Sequence, residues 1–193
     1  MGRPIRGVLQ KAFCFGALLG MAACATTADE YYARGQRALG TGNLQSASDA
    51  LHRCIEKDPT RGDAYLALGN IYLKQEKWSP AANAFREAMA LDDRLAPQAS
   101  PLLLDALYQD AQALLRTGRE REAIDSFREL YEKAPDYPKL RRVYADLLVR
   151  YGREAILRGH YGDGVDKLQE ALRVEPGNKA ARRLLEQTRF ASQ

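Results

Sequence analysis

An interval of 34 residues runs through this chain: Tyr31, Gly35, Gly42, Ala47, Leu51 and Pro59 are followed at that offset by Tyr65, Gly69, Glu76, Ala81, Phe85 and Asp93. Most pairs keep their chemical type or exchange one apolar group for another; Gly42 against Glu76 and Pro59 against Asp93 do not. A period of this length marks a helix-turn-helix unit that cannot bury its apolar face alone, so copies stack and leave an extended concave surface. The pattern predicts an all-α chain built to hold a partner.

The first residues carry a different signal. Arg3, Arg6 and Lys11 precede an apolar run from Ala12 to Ala23 that ends in small residues, the layout of a secretory signal. A membrane-spanning helix needs roughly 20 apolar residues, so a retained span fits this shorter run less well. The closing residues, Leu19-Gly20-Met21-Ala22-Ala23-Cys24, resemble the lipobox of bacterial lipoproteins, with Met21 in place of the usual leucine. The resemblance implies a signal over 1–23, acylation of Cys24 by a fatty acid such as palmitate, and a tether over 24–27. With Ala25 rather than Asp after the cysteine, it implies the periplasmic face of a bacterial outer membrane. The same residues leave an alternative, an ordinary signal cut after Ala25, because Ala23-Cys24-Ala25 also reads as a small-x-small site.

The chain holds 29 Lys and Arg against 25 Asp and Glu, and the signal takes three of the basic residues with no acid. The near balance left behind gives no electrostatic case for nucleic acid. Cys14 leaves with the signal and Cys24 is taken by lipid, so Cys54 has no disulfide partner; it stands where the repeat wants a small residue and is expected in the core. Of the two histidines, His52 falls on an exposed helix face and His160 beside a turn glycine, and the sequence contains no H-E-x-x-H, C-x-x-C or G-x-S-x-G. Zinc protease, redox and hydrolase chemistry therefore lack their minimal residues. Carboxylates are expected to pair with cations three or four residues away, as Glu129 with Lys133. The expectation is a non-enzymatic protein with no cofactor and no metal.

The repeats resemble the tetratricopeptide repeat (TPR), on residues that can be named. Residues 62–95 carry Tyr65, Leu68, Gly69, Tyr72, Trp78, Ala81, Phe85 and Ala88 at its signature places; 28–61 carry Tyr31, Gly35, Ala38, Leu44, Ala47, Leu51 and Cys54, with Arg34 where leucine is usual. A weaker copy, 104–137, has Leu107, Ala111, Leu114, Gly118, Ala123 and Phe127, with Asp110 at an apolar place; 145–178 has Leu148, Tyr151, Gly152, Gly164, Leu168 and Ala171. Residues 179–190, with Ala181, Leu184 and Leu185 among Arg and Glu, fit a solvating capping helix. The resemblance implies a right-handed α-solenoid of about four helix pairs and a cap, nine helices in all, over a TPR domain at 28–193.

The period breaks twice. Ala81 to Ala123 spans 42 residues and Ala123 to Gly164 spans 41. The first excess contains Pro97 and Pro101 and predicts a linker over 96–100 with a helix starting at Pro101. The second is close to two helical turns and predicts a helix lengthened backward to Pro138, with Leu140, Val143, Tyr144, Leu147, Leu148 and Tyr151 in one periodic series. Ser79-Pro80 reads as an N-cap followed by a proline at the first helical position. Gly42, Gly118 and Gly159 fall at the turns inside each pair, and Pro59, Pro135 and Pro176 close the second helices.

In the TPR family the first helix of each repeat lines the groove at its second, fifth, ninth and twelfth positions. Carried over, these are Asp29, Asp63, Asp105 and Asp146; Tyr32, Leu66, Tyr108 and Val149; Gln36, Asn70, Gln112 and Arg153; and Leu39, Leu73, Leu115 and Ile156. Two apolar rows flank a row of amides and one arginine, which suits a protein segment gripped through side-chain pockets and hydrogen bonds. A second reading of the apolar rows is partial burial between helices, and the Asp row is expected to complement helix N-termini. Cations suited to clamping a carboxylate are sparse, Lys74, Arg116 and Arg153. The resemblance implies a membrane-anchored scaffold for protein contacts in bacterial envelope assembly, similar to small TPR lipoproteins of type IV or related pilus and secretion machinery. The alternative is an adaptor for peptidoglycan-processing or exopolysaccharide enzymes.

Overall fold

The computed structural model describes residues 26–191; the signal run and Cys24 lie outside them. Among the described residues there are no strands, and nine α-helices follow in order: α1 (Ala28–Gly40), α2 (Leu44–Lys57), α3 (Gly62–Lys74), α4 (Trp78–Leu91), α5 (Ala96–Arg116), α6 (Glu120–Lys133), α7 (Leu140–Leu157), α8 (Tyr161–Val174) and α9 (Lys179–Ala191). One 3-10 turn, Asp93–Leu95, precedes α5. Each helix packs mainly on its chain neighbours, which builds a right-handed solenoid of four helix pairs closed by α9.

The second helix of every pair has 14 residues. Three of them stop two residues before a proline, with Asp58, Ala134 and Glu175 drawn out to φ −140, −148 and −135 because the following ring excludes the helical region. Asp92 takes the same shape without a proline and caps the next turn, accepting a 3.0 Å hydrogen bond from the Arg94 amide. Within each pair the turn needs a left-handed residue. Gly42, Gly118 and Gly159 supply it at φ 75, 75 and 84, and Glu76 adopts φ 55 at the equivalent place, so the turn survives where glycine does not.

Close approach of the paired helices explains the small residues. A Cβ on Gly69 would stand 2.5 Å from the Phe85 ring, and one on Gly164 would stand 2.7 Å from the Gly152 carbonyl oxygen. Leu51, Phe85, Phe127 and Leu168 are fully buried between the pairs, as is Cys54, a core residue with a free thiol.

Three expectations need correction. First, the eight extra residues before the third repeat form helix, not a linker: α5 starts at Ala96 and has 21 residues where α1 and α3 have 13. Pro97 lies in its first turn, where no amide hydrogen is required. Pro101 lies inside the helix on an exposed face, while Ala99, Leu103, Ala106 and Leu107 are buried along the other face. Burying a leucine contributes about 1.5 to 3 kcal/mol, so this face offsets the roughly 3 kcal/mol that an interior proline costs. Second, α7 is lengthened to 18 residues but starts at Leu140, not Pro138. Lys139 takes φ 63 at that entrance, and Leu140, Tyr144, Leu147 and Leu148 are buried. Third, α4 begins at Trp78 with Lys77 as its N-cap, so Ser79 is not a cap and Pro80 falls later in the first turn.

Candidate partner-binding groove

All eight members of the two apolar rows are half-buried. Tyr32 and Leu39 pack on the N-terminal core cluster, and Leu66, Leu73, Tyr108, Leu115, Val149 and Ile156 on the larger one that runs to α9. Each side chain is thus held against the core and keeps part of its surface exposed. Partial burial between helices therefore holds for every member of both rows.

Loops cover two members of the fifth-position row, Tyr32 and Tyr108, in a way the repeat pattern did not indicate. The Arg61 guanidinium sits 4.3 Å over the Tyr32 ring, and Tyr137 lies 5.4 Å from Tyr108, ring centre to ring centre. Arg61 and Tyr137 are both the last residue of their repeat, so one register position supplies both covers. Tyr108 also meets Phe127 edge-on at 6.0 Å, and Phe127 meets Tyr144 at the same separation. Tyr108 is thereby a packing residue as much as an open one. Burial, and then the nearby Asp63 carboxylate, hold the Tyr32 hydroxyl above its ordinary pKa; burial and then Asp105 do the same for Tyr137.

The Asp row divides. Asp29 and Asp63 lie in the first turns of α1 and α3, and both pair with Arg61, Asp63 at 2.9 Å. Asp105 and Asp146 lie well inside α5 and α7, because those helices gained turns at their N-terminal ends, so they do not complement helix N-termini. In the amide row, Asn70 donates from Nδ2 to the Leu66 carbonyl at 3.0 Å, Gln112 is half-buried, and Gln36 and Arg153 are exposed. Among the described residues Lys74, Arg116 and Arg153 have no ion-pair partner. Lys74 and Arg116 are the last residues of α3 and α5, and Leu157 ends α7 in the same place.

Gln187 on α9 extends the amide row, one 34-residue step beyond Arg153. Running the same ruler past the fourth repeat would have found it. Arg153 and Ile156 share a pocket with Gln187 and other residues of α7, α8 and α9, so the capping helix also forms a wall of the groove.

The second helices are bound to each other by a repeated ion pair. Arg86 bonds Glu129 through Nε at 2.8 Å, and Arg128 bonds Glu170 through Nε at 2.9 Å, from equivalent places one repeat apart. The expected partner of Glu129, Lys133, is 3.9 Å away and secondary to Arg86. Among the described residues no cluster of His, Cys, Asp and Glu is arranged to hold a metal.

The tetratricopeptide repeat family model matches residues 32–100 and 66–138, and the chain belongs to that family. Proteins of this fold are typically non-enzymatic scaffolds for protein contacts. Human tetratricopeptide repeat protein 16 is 30% identical over 129 residues, which is 66% of this chain and 15% of that protein. Mouse tetratricopeptide repeat protein 21A is 31% identical over 88 residues, 46% of this chain and 6% of its own. The chain thus spans a small part of the length of these curated relatives. Among solved structures, the TPR domain of P58(IPK) is 14% identical, covers 83% of this chain and 44% of its own, and superposes with a TM-score of 0.46.

Proposed function

We propose that this chain is a lipid-anchored adaptor that grips a segment of a partner protein along its first-helix rows, within a bacterial envelope assembly of the pilus or secretion type. The observation that carries the reading is the pair of half-buried apolar rows with amides between them. A repeated apolar face left open by the core gains free energy when a second apolar surface covers it, and the amides supply hydrogen bonds to the backbone of that segment. The anchor rests on the lipobox-like run that ends at Cys24; α1 begins four residues beyond that cysteine, capped by Thr27 and Glu30. The envelope setting rests on the lipobox-like run and the resemblance to small TPR lipoproteins.

Two experiments test the parts separately. Metabolic labelling with a fatty-acid analogue is expected to mark the wild type and not Cys24→Ser; equal labelling of both ends the anchor. One acyl chain holds a protein only marginally and two hold it stably, so a labelled protein should also resist salt extraction from membranes. For the groove, partners are captured by cross-linking in cells, and Leu73→Ala/Gln112→Ala is compared with the exposed second-helix change Glu87→Ala. The groove variant is expected to lose at least about thirtyfold in affinity, equivalent to about 2 kcal/mol, while Glu87→Ala binds normally. A groove variant that remains helical by circular dichroism and binds like wild type refutes this surface.

A further inference from the structure

The C-terminal end of the proposed groove contains a pocket of about 370 Å³ lined by Arg153, Ile156, Leu157, Tyr161, Leu184 and Gln187. Its volume is at the small end of the about 300 to 1,000 Å³ usual for ligand sites. Leu157 is 80% exposed and Tyr161 56%, and the one other large apolar residue exposed among those described, Leu91, reaches only 37%. At the place of Leu157 the two preceding repeats put Lys74 and Arg116, which solvate the ends of their helices. A leucine there does not serve solvation.

The walls are firm and the polar groups are few. Gly152 and Gly164 bring α7 and α8 so close that a Cβ on Gly164 would stand 2.5 Å from Ile156 Cγ1, which pins the isoleucine. The Thr188 hydroxyl at the edge of the pocket donates to the Leu184 carbonyl at 2.8 Å and is already used. No carboxylate lines the pocket, and among the described residues neither Arg153 nor Gln187 has a side-chain hydrogen-bond partner. An unpaired guanidinium beside an apolar hollow with no acid in it complements an apolar group that carries an anion, and on a protein segment that anion is a carboxylate.

We propose that this pocket seats a large apolar side chain of the partner that is flanked by a carboxylate. Leu157, Tyr161, Ile156 and Leu184 enclose the apolar group, Arg153 binds the carboxylate, and Gln187 bonds the partner's backbone. The proposal rests on the groove reading above and narrows the partner's chemistry to an apolar residue next to Asp or Glu.

The probe is a random dodecapeptide phage library panned on the purified full chain in detergent. Enriched sequences are expected to carry an aromatic or branched apolar residue beside Asp or Glu. A synthetic peptide of that consensus should bind Leu157→Ser/Tyr161→Ser at least about tenfold more weakly than wild type, and both changes are at exposed positions that the core does not need. Changing its acid to the amide should cost about tenfold on wild type and nothing on Arg153→Gln. Enrichment without an acid, no enrichment at all, or equal binding by the pocket variant overturns the proposal. If binding survives the pocket variant but is lost in Leu73→Ala/Gln112→Ala, the groove stands and the pocket falls; if it survives both, both fall. A wild-type dimer that becomes monomeric in Leu157→Ser/Tyr161→Ser means a second copy covers the pocket, and that result also overturns it.

Discussion

Replacing Gly69 by valine is expected to lower the unfolding free energy by about 3 kcal/mol, the upper part of the range for overpacking a core. The first atom added would stand 2.5 Å from the Phe85 ring, and that ring is fully buried in the core. Removing a helical glycine helps by at most about 1 kcal/mol, too little to compensate. Phe85→Ala alone should cost about 3 to 5 kcal/mol through the cavity it leaves. Because valine would enter part of that cavity, the double variant should be less damaged than the sum of the two by about 1 to 3 kcal/mol. Urea unfolding of the four proteins measures this. Strictly additive losses would mean that the contact between these two positions is not what keeps position 69 small.

The same pair shows why the fold was legible in the sequence. Gly69 and Phe85 occupy places that recur at the repeat period, and a packing requirement that recurs leaves a periodic trace. Local chemistry misled where burial outweighed it. Pro97 and Pro101 read as a linker, but the apolar series Ala99, Leu103, Ala106 and Leu107 carries the helix through both. The cue was present, because apolar residues three and four apart continue across the prolines.

The candidate site was legible by row and not by environment. Carrying the repeat positions over placed every groove residue on a first helix, but it could not show that Arg61 and Tyr137 lie over Tyr32 and Tyr108. Those contacts come from loops, whose path depends on where α3 and α7 begin. Ion pairs were sought three or four residues apart, whereas the pairs that tie one repeat to the next, Arg86 with Glu129 and Arg128 with Glu170, are separated by a whole repeat. They could have been found only by reading opposite charges along the equivalent face of successive second helices.

Acidification is expected to loosen the last of these contacts in a defined window. Glu170 accepts hydrogen bonds from the Tyr144 hydroxyl at 2.6 Å, from Arg128 Nε at 2.9 Å and from Lys167 at 3.3 Å, with its side chain 14% exposed. Burial pushes its carboxyl upward, but the bonds from Arg128 and Tyr144 and the charges of Arg128 and Lys167 outweigh it and bring the pKa from 4.5 to about 2. The folded value lies below the unfolded one, so the charged form contributes stability that is complete above about pH 4.5 and is lost as pH falls toward 2. A displacement of this size corresponds to about 3 kcal/mol, an upper figure because Arg128 remains partly open to solvent. Glu170→Gln removes the charge and keeps an acceptor for Tyr144, so the variant should be less stable by about 2 to 3 kcal/mol at neutral pH. Its deficit relative to wild type should shrink between pH 4.5 and 2, because protonation takes the same charge from the wild type. Urea midpoints of both proteins at pH 7, 4, 3 and 2.5 measure the gap. A gap that stays constant across that window would assign the loss to packing at position 170, and the link between α6 and α8 would then owe nothing to the ion pair.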